Sequence, residues 1–97
     1  MEIKNVELCN LDEIFEISNC YFDWSKKQLE ESLKNGNIFL AAEQGNEIVA
    51  FLLAEDLIDS FNLLLIATKN EFKNKNIATK LMQKLEEIAK NKKIEKI

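Results

Sequence analysis

The chemistry this sequence can carry is concentrated in one short segment. Residues 73 to 82, KNKNIATKLM, pass from a lysine-rich loop into a stretch with the apolar spacing of a helix. The first N–H groups of a helix have no intrahelical partner and point at one spot. The helix dipole adds about half a positive charge at the same end. An anion such as a phosphate is favoured there. A loop that curls around an anion needs a residue able to take positive φ, and Asn76 is the most tolerant type after glycine. Ala78 is small enough for close approach, and Lys73 and Lys75 supply full charge nearby. The same lysines, with Lys69 and Lys80, equally describe a solvated loop and helix start.

The composition excludes several other chemistries. The 97 residues contain no His, no Arg and no Pro. Without His there is no Ser-His-Asp triad, no Cys-His pair and no zinc site with a histidine ligand. Without Arg there is no bidentate clamp on phosphate or guanine. The net charge of −4 argues against nucleic-acid binding driven by counterion release. The two cysteines, Cys9 and Cys20, have the spacing of no redox motif and read as free thiols. No metal is expected. The N-terminal MEIKNVELCN lacks the charged-then-apolar pattern of a secretory signal, and no apolar run approaches the length of a membrane span. The expected location is cytoplasmic, with no membrane partner.

The elements that position the loop can be read from spacing. Ile3, Val6 and Leu8 suggest a short extended segment. Asn10, with Glu13 three residues on, looks like a helix N-cap. Leu11, Ile14, Phe15, Ser18 and Phe22 then follow on one helical face. Ser25 and Gln28 fit a second capping box, flanked by Trp24 and Leu29 in the positions of a hydrophobic staple. Asn35-Gly36 ends that helix. The period then changes. Residues 37–43 form a short strand, Gln44-Gly45-Asn46 a turn, and residues 47–56 a nearly continuous apolar strand covered on both faces. Residues 57–60 connect it to a third apolar strand, 61–68, completing an antiparallel meander. Residues 69–76 are a polar loop. Ile77, Leu81, Met82, Leu85, Ile88 and Ala89 make the buried face of a last helix. The final IEKI begins another alternating pattern.

This order, with three local motifs, resembles the GNAT superfamily of acyl-CoA-dependent N-acetyltransferases. FDWSKKQLEESL, residues 22–33, is similar to the F-P-W-S motif of bacterial ribosomal-protein-alanine N-acetyltransferases, with Asp23 in place of proline. LLLIAT, residues 63–68, is similar to that family's fourth strand, which commonly ends in I-A-V. KNKNIATKLM is similar to the acetyl-CoA motif Q/R-x-x-G-x-G/A, with Lys73, Asn76 and Ala78 in its three defined places. The resemblance implies an α+β fold of order β-α-α-β-β-β-α-(β). It implies a mostly antiparallel sheet with helices on both faces, and final strands and helix missing. It implies acetyl-CoA as co-substrate, with its pyrophosphate on Lys73, Asn74, Lys75, Asn76, Ile77, Ala78 and Thr79. The pantetheine arm would lie on the backbones of Ile66, Ala67 and Thr68. Phe22 and Trp24 would lie near the acceptor groove, although the staple alone accounts for Trp24. The acceptor would be an amine, in this family a protein N-terminal alanine of the ribosomal type.

The catalytic groups of that family are a Glu after the fifth strand and a Tyr on the following helix. By alignment both fall beyond Ile97. Residues 1–97 are therefore expected to be a single, incomplete domain, with weak coenzyme binding and little turnover. Glu95 falls too early to be the base, and Tyr21 reads as a packing residue on the first helix. Glu55, Asp56 and Asp59 gather at one turn; they read as solvated carboxylates, and less readily as contacts for a cationic acceptor. The alternative is a non-enzymatic α+β interaction module, or a sensor that binds an acyl-CoA without transferring it. In either case a strand edge left open favours oligomers.

Overall fold

The apolar segment EIVAFLLAED becomes the strand around which the other elements are arranged. In a computed structural model describing residues 1–97, four strands form one antiparallel sheet. They are β1 (Glu2–Asn5), β2 (Ile38–Gln44), β3 (Glu47–Asp56) and β4 (Phe61–Thr68), side by side in sequence order. Helices α1 (Leu11–Ser18) and α2 (Lys26–Lys34) lie between β1 and β2, and α3 (Ile77–Asn91) follows β4. The α+β architecture and element order implied by the sequence are therefore present. No helix is long and apolar enough to cross a membrane.

The sheet separates two cores. On one face Leu11, Ile14 and Ile17 of α1 and Leu29 of α2 pack against Phe39, Phe51, Leu53 and Leu65. On the other face Ile77, Leu81, Leu85 and Ala89 of α3 pack against Leu40, Leu52, Ala54 and Phe61. Residues 48 to 54 of β3 are each fully inaccessible to solvent. A strand covered on both faces has no polar side to alternate with, which is why it reads as a continuous apolar run.

Two extra residues bend the sheet. Ala42 opposes Ala50 and Glu43 opposes Ile48, so Val49 is unmatched. Leu53 opposes Leu65 and Ala54 opposes Leu63, so Leu64 is unmatched. Such bulges turn the strand and re-aim its side chains. The first explains why Val49 and Ala50, neighbours in sequence, both belong to the α3-side core.

Local signals set the helix ends. The Ser25 hydroxyl accepts from Gln28 N at 3.1 Å, and the Gln28 amide oxygen accepts from Ser25 N at 2.7 Å. Trp24 packs into the same core cluster as Leu29. Gly36 takes φ +78 just past the C-cap Asn35. The β2–β3 turn has Gly45 at φ +57 and Asn46 at φ +67, the two-residue hairpin geometry that suits sheet twist.

The N-terminal segment differs from the reading of its sequence. The strand stops at Asn5, and residues 8–10 form a 3₁₀ turn that leaves Leu8 exposed. Asn10 precedes α1 but makes no cap bond to it; its Oδ1 accepts from Glu7 N at 2.9 Å, closing the 3₁₀ turn. Glu13 does not complete a box either. Its carboxylate accepts from Ile48 N at 3.1 Å, tying α1 to the start of β3. Helix α1 ends at Ser18, so Phe22 stands beyond it.

At the C-terminal side Ile94 is buried, Phe61 N donates to Lys96 O at 2.9 Å, and Ser60 forms an isolated parallel bridge with Lys96. Lys92 Nζ lies 3.0 Å from Asp56 Oδ2.

Truncating Leu85 to Ala should lower unfolding stability by about 2–5 kcal/mol in urea titrations, since the site is fully enclosed. Asp56 provides a pH-dependent counterpart. The Lys92 ammonium, and then the Ile58 N–H, hold its carboxyl below the usual range. Its stabilisation is present above the unfolded carboxylate value of about 3.9 and is lost as pH falls through the lower folded value. The stability gap between the wild type and Asp56→Asn should therefore be constant from pH 6 to 5 and shrink below about pH 4.

Candidate functional site

Strand β4 lies at one edge of the sheet, and its backbone is only half used by the ladder. Lys69 N donates to Val49 O at 2.8 Å, immediately past the Ala50–Thr68 pair. In an antiparallel ladder hydrogen-bonded and non-hydrogen-bonded pairs alternate. The pair Phe51–Ala67 is therefore hydrogen-bonded, whereas Leu52–Ile66 and Ala50–Thr68 are not. The N–H and C=O of Ile66 and Thr68 face the open edge. Those of Ala67 face β3 and are consumed there. The family resemblance implies all three backbones for the pantetheine arm; the alternation leaves the N–H and C=O of Ile66 and Thr68 outside the ladder and pairs those of Ala67 with Phe51.

After Thr68 the chain must turn from the sheet edge to α3. Lys69 starts this turn with its Nζ 2.7 Å from Glu47 Oε2, and the Glu47 carboxylate holds that ammonium above the usual lysine range. A 3₁₀ turn over Asn70–Phe72 follows. Asn74 and Asn76 then take left-handed conformations, at φ +68 and φ +60. The positive φ expected at Asn76 is present. The first intrahelical bond is Lys80 N to Asn76 O, at 3.1 Å. The N–H groups of Ile77, Ala78 and Thr79 consequently have no helical acceptor. Asn76 makes no side-chain cap bond, and no acidic residue occupies the first turn. The α3 N-terminus thus keeps its unpaired donors and its partial positive charge.

A cavity of about 610 Å³ lies between these two backbone features. Ile66, Ala67 and Thr68 form its sheet wall; Asn76, Ile77, Ala78 and Thr79 form its helix wall; Lys73 and Asn74 close the loop side. Phe22 and Tyr21 border it from the α1 side and Phe72 from the 3₁₀ turn before α3; sequence spacing did not single out Tyr21 or Phe72 for the site. Lys75 and Trp24 stand outside. Lys75 Nζ lies over the Phe72 ring, 5.5 Å from its centroid, and Trp24 packs against the α1/α2-side core. Tyr21 is not on α1, which ends three residues earlier. Its hydroxyl donates to Thr68 O at 3.1 Å, and Lys73 Nζ lies 4.6 Å from its ring centroid. The acidic turn trio is elsewhere: Glu55 accepts from Asn62 Nδ2, and Asp56 is paired with Lys92.

No carboxylate lines the cavity. Its polar groups are outward backbone on one wall, unpaired helix N–H groups on the other, the neutral side chains of Tyr21, Thr68, Asn74, Asn76 and Thr79, and one lysine, Lys73. That arrangement suits an elongated ligand with amide groups along part of its length and negative charge at one end.

Asn76 gives a direct test of the left-handed turn. Asn76→Val should cost about 1–2 kcal/mol in urea unfolding, because a β-branched residue is forced to positive φ. Asn76→Gly should stay within about 1 kcal/mol of the wild type. Equal costs for the two would show that the backbone at 76 is free to rearrange.

Comparison with known proteins agrees with this geometry. The model of the acetyltransferase (GNAT) family matches residues 8–97. A search of curated proteins finds no match. Among solved structures, ribosomal-protein-S18-alanine N-acetyltransferase from Escherichia coli superposes with TM-score 0.84 at 20% identity, over 93% of this chain and 60% of that one. The PaiA N-acetyltransferase from Thermoplasma acidophilum, in complex with coenzyme A, superposes with TM-score 0.84 at 20% identity, over 96% and 74%. A ribosomal-protein-alanine N-acetyltransferase from Brucella melitensis biovar Abortus 2308 gives TM-score 0.86 at 19% identity, over 100% and 76%. At these identities the likeness is one of fold. The chain spans 60% of the length of the E. coli enzyme. With the family model matched over nearly its whole length, this chain belongs to the GNAT family of acetyltransferases.

Proposed function

We propose that the cavity binds acetyl-CoA and that the protein serves acetyl transfer to an amine, with a protein N-terminal alanine of the ribosomal type as the favoured acceptor. The observation that carries this reading is the convergence of two backbone features on one cavity. Ile66 and Thr68 turn N–H and C=O groups away from β3 along the sheet edge, only Thr68 O being engaged, by the Tyr21 hydroxyl, and such groups suit the amides of a pantetheine arm. The bare N-terminus of α3, behind the left-handed Asn76, suits a pyrophosphate. Lys73 stands at the mouth with its charge available.

Bound acetyl-CoA would supply an activated acetyl thioester. The residues of this chain would hold it and fix its direction. Acetyl transfer also needs a group to take the ammonium proton and one to protonate the departing thiolate. The cavity walls contain no carboxylate for the first task. That observation favours a second reading of residues 1–97: a domain that binds an acyl-CoA without transferring it. The preference for a protein N-terminus rests on the F-D-W-S segment at Phe22–Ser25, because the structural relatives include aminoglycoside 6'-N-acetyltransferases as well as ribosomal-protein-alanine N-acetyltransferases.

Isothermal calorimetry with acetyl-CoA tests the binding claim. The wild type should bind at micromolar to millimolar concentration, and Lys73→Glu with Lys75→Glu should weaken binding at least about tenfold, the worth of one lost charge-assisted contact. No heat at millimolar ligand, from protein shown to be folded, would remove the coenzyme reading. Mass spectrometry of a peptide with N-terminal alanine after incubation separates transfer from binding alone.

A further inference from the structure

Tyr21 occupies a position that the proposed function leaves unexplained. It is the one tyrosine of the chain, it lies in the turn after α1, and it touches both halves of the cavity at once. Its hydroxyl donates to Thr68 O at 3.1 Å. That carbonyl is one of the edge groups turned away from β3, and so one of those a ligand along β4 would use. Its ring lies beneath the Lys73 ammonium, 4.6 Å from the centroid. Lys73 is the lysine at the mouth, and it has no carboxylate partner among the ion pairs of the chain.

We propose that Tyr21 gates the coenzyme cavity: in the free protein its phenol caps Thr68 O and its ring holds Lys73, and an incoming coenzyme replaces both contacts. The inference rests on the coenzyme reading above and adds a residue that sets its affinity. Both contacts are weak enough to exchange. A neutral hydrogen bond to a partly exposed carbonyl contributes little net, because its alternative is a bond to water. An exposed cation–π contact is weaker than the pairing of the same ammonium with a phosphate. The ring also has somewhere to go. Tyr21 is 42% exposed, and on its far side it borders a smaller cavity of about 350 Å³ formed with Glu16, Cys20, Lys69 and Glu71. It is therefore a movable side chain between two spaces and not a fixed part of either core. Phe22, its neighbour, packs against the α1/α2-side core and anchors the turn while Tyr21 moves.

The two contacts separate by ligand. Coenzyme A engages both; adenosine 3′,5′-bisphosphate, which lacks the pantetheine arm, engages the phosphate end alone. Tyr21→Phe removes the cap on Thr68 O and keeps the ring under Lys73. Calorimetry should show coenzyme A binding tightened by roughly two- to tenfold, the range of one net hydrogen bond, with the bisphosphate unchanged. Tyr21→Ala also frees Lys73 and should tighten the bisphosphate, by roughly two- to fivefold. In the wild type, NMR of ring-labelled tyrosine gives a single set of signals, which should shift when coenzyme A saturates the protein. Coenzyme A binding that is unchanged or weakened in Tyr21→Phe overturns the gate while leaving the coenzyme reading intact. Absence of binding by the wild type and both variants, all folded, overturns the gate together with that reading.

Discussion

The placement of the cavity depends on the burial of β3. Residues 48 to 54 are enclosed on both faces by helices and on both edges by strands. A strand with no solvent contact cannot slip by one residue, because a slip would exchange the two cores side chain for side chain. Its register fixes β4, and β4 in turn decides which backbone groups reach the open edge. Since Phe51 claims Ala67, the outward groups are those of Ile66 and Thr68. The bulge at Leu64 sits three residues before Ala67 and marks where this regular edge begins. A core remote from that edge thus determines which carbonyls and amides are left outside the ladder.

The second constraint is the route from the sheet to α3. The chain leaves β4 at its edge and must place a helix across one sheet face, within eight residues from Lys69 to Asn76. It does so with a 3₁₀ turn and two asparagines at positive φ. Asparagine at positive φ costs less than other residues with a Cβ and more than glycine. The cost is tolerated because Ile77 enters the core at the first helical position and fixes the helix end. The left-handed residue and the buried residue after it form one device. The first reverses the chain so that the helix N–H groups point into the cavity, and the second prevents the helix from fraying back. A negative group at that spot is then favoured with no arginine present.

Much of this was legible in the sequence, for identifiable reasons. The limits of β3 and β4 and the starts of α2 and α3 were readable because each is marked locally, by unbroken apolar character, by the Ser25–Gln28 box, or by Asn76 before an amphipathic run. The N-terminal region was less legible. Asn10 and Glu13 have the types and spacing of a cap, but Asn10 satisfies Glu7 and Glu13 satisfies Ile48. A short polar side chain can serve any nearby N–H, and its own sequence does not say which. The bulges at Val49 and Leu64 were not legible, since an extra apolar residue in an apolar strand leaves no pattern to break. Tyr21 reads from sequence as helix packing because its partner, Thr68, lies 47 residues away. Side-chain periodicity also could not show that Ala67 faces β3 with its backbone while Ile66 and Thr68 face outward. Ladder alternation decides that, and it follows only once the register is known.

A site made from main chain has a consequence for how far sequences can diverge around it. Backbone donors at a sheet edge and a helix end are present whatever the side chains are, provided the register and the turn survive. The demands such a site makes on side chains are few: small volume at the approach, as at Ala78, and tolerance of positive φ, as at Asn76. This accounts for a chain that shares about a fifth of its residues with the Escherichia coli enzyme and yet superposes on it with TM-score 0.84. Under the proposed coenzyme reading the lack of His and Arg is no obstacle: the groups that would receive the anion are amides, and the lysines would adjust affinity at the rim. Side chains that do touch the cavity and are not required by this backbone frame, Tyr21 above all, are then the places where one member of the family can differ from another in how tightly it holds the same ligand.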